Sequence, residues 1–161
     1  MGPKENLFVT KRNGRGKESL NIDKIHSMVE FATDGITGVS ASQVEMNSGI
    51  QFFDGISTED IQQILIKSAN DLISLESPNY QYVAARLLLF SLRKNLFHRL
   101  WEHPKFIDHI KKLIDLGLYD KGILENYTEA EIDRMGMWID HERDYSFTYA
   151  GLRQVMDKYL E

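Results

Sequence analysis

Val9-Thr10-Lys11-Arg12-Asn13-Gly14 and the following run Glu18-Ser19-Leu20-Asn21-Ile22-Asp23-Lys24-Ile25 combine the signals for a strand, a tight turn and a helix start. Asn-Gly between two extended runs is a strong signal for a β-hairpin. Asn21 is a favourable helix N-cap, because its side chain can accept a hydrogen bond from a free backbone N–H group. The sequence therefore predicts a hairpin over residues 6–20 that leads directly into a first helix.

The same stretch concentrates positive charge in an acidic chain. The 161 residues carry a net charge of −5, but residues 1–24 contain six basic and three acidic side chains. The start of the chain is therefore +3 and the remainder is −8. Cations beside a helix N-terminus, with its free N–H groups and positive dipole end, suit an anion such as phosphate. The overall charge disfavours general binding to nucleic acid or to a membrane surface.

Helical patterns dominate the rest of the chain. Further helices are predicted to begin at Ser40 or Ser42, Ser57 or Thr58, Ser77-Pro78, His103-Pro104, Thr128 (a capping box with Glu131) and about residue 145. The helix that runs to about Phe97 is apolar around much of its surface, which predicts a central position. We expect a mainly α fold: four helices capped by a small antiparallel hairpin over 1–97, then additional helices over 98–161.

Three helical faces could contribute to a binding site. The residues that share a face are Asn21 with Lys24, Thr58 with Ile61 and Gln62, and Phe90 with Lys94. If these faces meet the hairpin, they form a pocket with lysines for phosphate and an apolar wall for a base. The same spacings also permit a simpler interpretation, in which the hairpin is solvated, Thr58 is a helix cap and Phe90 is a core residue.

Several other functional classes find little support. The chain has no cysteine, which excludes disulfides, thiolate zinc sites and thiol catalysis within it. His98, His103 and His109 lack the spacing of a zinc motif, and no phosphate-binding loop or dinucleotide glycine fingerprint occurs. His141-Glu142-Arg143-Asp144 matches a kinase catalytic loop only superficially. From the histidine spacing and the lack of cysteine, we expect no metal site formed by the protein. No apolar run reaches transmembrane length and no signal peptide is visible, so we expect no membrane association and a cytoplasmic location.

The order of four motifs resembles the ATP-cone of ribonucleotide reductases. These motifs are Val9–Gly14, Asn21–Ile25, Thr58-x-x-Ile61 and Tyr80-Gln81-Tyr82-Val83-Ala84-Ala85-Arg86. They are most similar to the large subunit of bacterial and phage class Ia enzymes. The resemblance continues through Phe106–His109, Gly117–Asp120, His141–Asp144 and Phe147–Tyr149, and so covers essentially the whole chain.

This resemblance implies an allosteric activity site, at which ATP keeps the reductase active and dATP turns it off, with Mg²⁺ accompanying the nucleotide. Carried over by position, the nucleotide-binding residues are Val9, Lys11, Arg12, Glu18, Ser19, Leu20, Asn21, Ile22, Asp23, Lys24, Ile25, Thr58, Ile61, Gln62, Phe90 and Lys94. Phosphate and sugar contacts fall on Lys11, Glu18, Asn21, Lys24, Thr58 and Lys94. Val9, Ile25, Ile61 and Phe90 line the base side.

The resemblance also implies two protein partners, the remainder of the large subunit and the small radical-generating subunit. Catalysis in the family uses cysteines in a large barrel, so we do not expect this chain to reduce ribonucleotides by itself. Two departures stand out: the turn between Gly14 and Glu18 is one residue longer, and Gln62 stands where close relatives often have histidine. They keep open an alternative, a cone that acts only as a structural or protein-interaction module. A cone-containing transcriptional repressor is disfavoured, because its zinc ribbon needs cysteines.

Overall fold

A computed structural model describes residues 7–11, 16–49, 54–98 and 103–159. The elements are β1 (Phe8–Thr10), β2 (Lys17–Ser19), α1 (Ile22–Thr33), α2 (Ala41–Gly49), α3 (Thr58–Asp71), α4 (Tyr80–Phe97), α5 (Phe106–Asp115), α6 (Gly122–Asn126), α7 (Glu129–Gly136), a 3₁₀ helix (His141–Ser146) and α8 (Tyr149–Tyr159). The predicted mainly α fold with a small antiparallel sheet is confirmed. The predicted Asn13-Gly14 turn lies outside the described residues. Across the described ranges, no helix has the length and apolar character needed to span a membrane.

The described residues divide into two compact units. The first unit lies within Met1–Leu92 and Asp144–Glu161, and the second within Arg93–Arg143. The division into functional regions 1–97 and 98–161 remains a prediction. The compact units are divided differently, because residues 144–161 belong to the first unit.

Helix α4 forms the centre of the first unit, as its apolar surface predicts. Tyr80, Val83, Leu87 and Phe90 along this helix are all essentially inaccessible to solvent. The Tyr80 hydroxyl accepts a hydrogen bond from the Ser40 backbone N–H (3.0 Å) and therefore ties the start of α4 to the start of α2. The burial of these four side chains contributes to the hydrophobic stabilisation of this unit.

The end of α1 is held by an arginine from α4. Gly35 follows the helix with φ +69°, a left-handed conformation that favours glycine, so the predicted stop is confirmed. Arg86 Nη1 donates to the carbonyl oxygens of Asp34 (2.6 Å) and Ala32 (3.4 Å). Carbonyls at a helix C-terminus lack intrahelical donors, so this guanidinium both satisfies them and complements the negative end of the dipole.

The second unit has a small core between α5 and α7. Ile107, Ile110 and Ile132 are its fully buried apolar residues in the described ranges. Gly136 permits the close approach of the two helices, because a Cβ atom there would lie 2.5 Å from the Cβ atom of Phe106. Any larger residue at this position would push the helices apart.

Several predicted helix boundaries were wrong by a few residues. α4 begins at Tyr80 rather than Pro78, because the Pro78 and Asn79 carbonyls accept from Gln81 and Tyr82 in a tight turn before the helix. α5 begins at Phe106 rather than at His103-Pro104. The last helix begins at Tyr149 rather than at residue 145, because a 3₁₀ helix precedes it. α6 was not predicted, since a five-residue helix carries too little periodicity.

The predicted capping box of α7 is confirmed and can be tested. Thr128 Oγ1 accepts from the Glu131 N–H (3.3 Å), and a Glu131 carboxylate oxygen accepts from the Thr128 N–H (2.9 Å). Thr128→Ala is expected to lower the free energy of unfolding by about 1 kcal/mol, because it leaves a helix N–H unsatisfied. Thr128→Ser keeps the acceptor and should retain most of the stability in equilibrium denaturation. Equal losses for both variants would contradict a capping role.

Candidate functional site

Strand β1 has a backbone hydrogen-bonding partner on each side in the first unit. On one side it pairs with β2 in antiparallel register, with Val9 opposite Glu18. On the other side, the segment 54–57 runs parallel to it: Thr10 N donates to the Ile56 carbonyl (2.9 Å), and Gly55 N donates to the Phe8 carbonyl (2.8 Å). β1 therefore joins the start of the chain to the segment that leads into α3.

The first helix starts beside one end of β1. Leu20 N donates to the Leu7 carbonyl (2.7 Å), which extends the hairpin ladder up to the residue before the cap. Asn21 Oδ1 then accepts from the Lys24 N–H (3.0 Å), so the predicted N-cap is confirmed. The remaining N–H groups of this first turn lie at the positive end of the helix dipole.

The third helix starts beside the other end of β1. Ser57, which forms a bridge with Thr10, is the N-cap of α3 and accepts from the Asp60 N–H (2.9 Å). Of the two predicted caps, Ser57 is correct, and Thr58 is the first helical residue. Since Phe8 and Thr10 are about 7 Å apart along a strand, two helix N-termini flank β1 at close range.

Charged side chains surround this arrangement. Lys11 Nζ lies 3.0 Å from Glu18 Oε2 across the hairpin, and both side chains are partly exposed. Lys24 and Asp23 are exposed on the first turn of α1. Arg12 lies outside the described residues. Lys11 and Lys24, two of the cations predicted to bind phosphate, therefore lie at the surface of the hairpin and of α1, where an incoming anion can reach them.

The residues predicted to contact the base are mostly buried. Val9, Ile61 and Phe90 belong to the core, and the Phe90 ring packs against Phe31 with 5.5 Å between centroids. Ile25 is half-buried. The arrangement places a compact apolar layer behind the hairpin and α1.

Gln62 is also buried, and its amide is directed inward. Gln62 Nε2 lies 3.7 Å from the sulfur of Met28 on α1, within the weak donor–acceptor range of a thioether. In this conformation the side chain joins α3 to α1. Lys94 follows Phe90 by one turn of α4 but belongs to the second unit.

Asp54 is a structural residue of this region that the sequence did not single out. Its Oδ1 atom accepts from the Phe8 N–H (2.8 Å), a donor 46 residues away in the chain. The Asp54-Gly55 pair signals only a turn, and nothing local indicates that the segment after it pairs with β1. This contact joins the turn before α3 to the start of β1.

A histidine on α1 links this helix to α2. His26 Nδ1 lies 2.7 Å from Glu45 Oε1 on α2, and Nε2 lies 3.1 Å from Glu30 Oε1 one turn along α1. In the imidazolium form both ring nitrogens are donors, so these two carboxylates favour that form. The hydrogen bond and charge of Glu45, then the charge of Glu30, raise the pKa of His26 above its usual 6.5.

This link makes stability depend on pH. Because the pKa of His26 is higher in the folded chain, its contribution is fully present below about pH 6.5 and is lost as pH rises through the raised value. We expect the difference in unfolding free energy between the wild type and His26→Gln to shrink as pH rises above about 6.5 and through the raised pKa of His26. Chemical denaturation at several pH values measures it. A difference independent of pH would contradict the ion pairs.

The described residues contain no preformed set of metal ligands. No group of three or more His, Asp or Glu side chains there is arranged to hold an ion.

The chain is similar to known proteins over nearly its whole length. The ATP cone domain family matches residues 7–95. The chain is 49% identical over 156 residues to the ribonucleoside-diphosphate reductase 1 subunit alpha of Escherichia coli K12, covering 97% of this chain and 20% of that subunit. It is 50% identical over 157 residues to the corresponding subunit of Buchnera aphidicola from Acyrthosiphon pisum, covering 98% of this chain and 20% of that subunit. The phage T4 subunit is 42% identical over 143 residues, or 89% of this chain and 19% of that subunit. The chain thus spans about a fifth of the length of these relatives.

Proposed function

Because this chain belongs to the ATP-cone family and resembles the N-terminal region of ribonucleoside-diphosphate reductase α subunits, we propose that it binds ATP or dATP as an allosteric effector. Membership of the family implies a nucleotide-binding regulatory role. The observation that carries the proposal is that the family match, residues 7–95, contains all sixteen predicted nucleotide-binding residues, from Val9 to Lys94.

The hairpin and the start of α1 suit the triphosphate. Lys11 and Lys24 are exposed, and the N-terminus of α1 adds backbone N–H groups and a positive dipole end. Each well-formed charge-assisted contact contributes about 1.5–3 kcal/mol. Glu18 holds Lys11 at 3.0 Å. We propose that phosphate displaces this contact and that Glu18 turns to the sugar or to the accompanying Mg²⁺.

The base would lie against the apolar layer behind the hairpin. Ile25 is half-buried and offers an accessible edge, whereas Val9, Ile61 and Phe90 supply the packed wall beneath it. Gln62 reaches the base only if its amide leaves Met28, so its side chain would rotate on binding. An amide both donates and accepts, which suits the edge of adenine.

Regulation would act through a change in assembly. An effector shifts an equilibrium only through different affinities for its two states. We propose that ATP favours the active reductase and dATP an inhibited assembly with the small subunit, while the chain itself performs no catalysis. The proposed setting is the cytoplasm.

A second candidate is a cone that has lost nucleotide binding and acts only as an interaction module. Two observations favour it: Lys11 is already paired with Glu18, and Phe90 and Gln62 are buried. When the lysine is already paired with a carboxylate and the apolar side chains are already buried, a ligand adds less binding free energy. The two candidates differ in one measurable quantity, the affinity for adenine nucleotides.

Calorimetric titration with ATP and dATP, with and without Mg²⁺, separates the two candidates. The nucleotide-binding proposal expects saturable binding of both, and stabilisation by about 2.7 kcal/mol when the nucleotide is about 100-fold above its Kd. Inorganic triphosphate serves as the control for simple charge attraction. A folded chain that shows neither heat nor a shift in melting temperature with either nucleotide would establish the interaction module instead.

A further inference from the structure

The C-terminal segment, residues 144–159, belongs to the first unit although it lies outside the family match. That match ends at residue 95, whereas Asp144–Glu161 falls in the same compact unit as the hairpin and α1. Among its described residues, α8 contributes one buried side chain, Leu152. A helix with so little buried surface opens more easily than a core helix, so each further contact that holds the segment matters.

Tyr145, in the 3₁₀ helix before α8, makes such a contact at the end of α1. Its half-buried ring lies edge-on to the ring of Phe31 on α1, with 6.1 Å between centroids and 67° between planes. The Cζ atom of Arg86 on α4 lies 5.5 Å from the centroid of the same tyrosine ring. Edge-to-face aromatic pairs and cation–π pairs are both attractive at these distances. Two helices of the cone therefore hold one side chain of the C-terminal segment.

Arg86 connects this contact to the backbone at the end of α1. Its Nη1 atom donates to the carbonyl oxygens of Asp34 (2.6 Å) and Ala32 (3.4 Å). Its Nε atom is buried, so the guanidinium is partly shielded from water, and a shielded cation is attracted more strongly to an aromatic ring. The same arginine thus fixes the end of α1 and lies against Tyr145.

Helix α1 spans the distance between this contact and the proposed nucleotide site. Its 12 residues, Ile22–Thr33, form a rod about 18 Å long, with the Asn21 cap at its start and Phe31 in its last turn. Helices of a packed core shift as units by about 1–2 Å, because packed interfaces do not deform continuously. A ligand that orders or moves the start of α1 therefore also acts on the contacts at its end.

We propose that Tyr145 is a positioning residue that couples α1 to the C-terminal segment through Phe31 and Arg86. Nucleotide bound at the start of α1 stabilises the packing of residues 144–159, and this packing strengthens nucleotide binding, because coupling between two sites is reciprocal. The effect of nucleotide rests on the proposed function, whereas the link between Tyr145 and α1 is present without nucleotide.

Hydrogen–deuterium exchange of the full chain measures this link in the absence of nucleotide. In Tyr145→Ala, the backbone amides of α8 and of residues 30–36 are both expected to exchange about tenfold faster than in the wild type. Tyr145→Phe keeps the ring and should exchange like the wild type. Tyr159→Ala is the matched control, because it removes a tyrosine ring of the same segment that is 74% exposed. Tyr145→Leu, which also lacks the ring, replaces Tyr145→Ala if that variant does not fold.

Two results without nucleotide would overturn the proposal. Faster exchange confined to α8 would show that the Tyr145 ring anchors the segment without acting on α1. Exchange at the wild-type rate in both regions would show that the ring contributes to neither. Faster exchange in both regions in Tyr145→Ala, with Tyr159→Ala unchanged, would support the link.

Saturating dATP with Mg²⁺ tests the effect of nucleotide. It is expected to slow the exchange of α8 about fivefold in the wild type, to leave it unchanged in Tyr145→Ala, and to bind that variant more weakly by the same factor. Binding of dATP that leaves α8 exchange unchanged in the wild type would overturn the proposal. Absence of nucleotide binding would overturn the proposed function and the nucleotide effect together, whereas the exchange without nucleotide would still decide the link between Tyr145 and α1.

Discussion

Phe90→Ala is expected to lower the free energy of unfolding by about 3–5 kcal/mol, a large effect for a single substitution. The side chain is completely buried on α4, and its ring packs against Phe31 at 5.5 Å. Truncation removes the transfer free energy of the ring and leaves a cavity that the surrounding helices fill only in part. Urea denaturation monitored by circular dichroism measures the loss.

Phe90→Leu provides the matched comparison, because it keeps most of the volume and should cost less than about 1.5 kcal/mol. Comparing Phe90→Ala with Phe90→Leu also distinguishes a core role of Phe90 from a direct contact with the base. If Phe90→Ala unfolded like the wild type and lost only nucleotide affinity, Phe90 would be a base contact at the surface and not a core residue. The burial of its ring favours the core role, with any contribution to the base made through the packed layer.

Lys24→Ala is expected to weaken the binding of ATP and dATP about 10- to 100-fold, the value of one charge-assisted phosphate contact. The backbone N–H of residue 24, which donates to Asn21 Oδ1 at 3.0 Å, is present in both the wild type and Lys24→Ala. Because the side chain is exposed, the melting temperature without nucleotide should hardly change. Calorimetric titration of both variants at one ionic strength measures the effect.

Lys67→Ala is the matched control, since it removes one exposed positive charge from α3 of the same unit. It tests whether a change in affinity comes from the position of the charge or only from the net charge. Equal affinities of Lys24→Ala and Lys67→Ala would remove Lys24 from the phosphate site. A loss confined to Lys24→Ala would support the site at the start of α1.

Local signals in the sequence predicted much of the secondary structure. The Asn21 cap, the Gly35 stop and the capping box of Thr128 and Glu131 are all confirmed. Each depends on residues within one helical turn, so neighbouring side chains are sufficient to specify it. The short helix α6 and the 3₁₀ helix before α8 escaped prediction, because elements of five or six residues have no full period to detect.

Local sequence signals predicted only part of the candidate site. The sequence indicated which residues share a helical face, but not that Gln62 turns toward Met28 or that Lys11 pairs with Glu18. Side-chain partners of this kind depend on which elements lie opposite each other. The resemblance to the reductase family supplied the nucleotide assignment that spacing alone left open.

By itself, the sequence determined the helical character of this protein, the N-caps of α1 and α7, and its family. Only the tertiary structure decided that residues 54–57 hydrogen-bond to β1, that Asp54 accepts from the Phe8 N–H 46 residues away, and that His26 joins α1 to α2 through Glu45. The physical reason is the range of the interactions. Caps and helical periodicity act within about four residues, whereas these contacts form only after packing brings distant segments together.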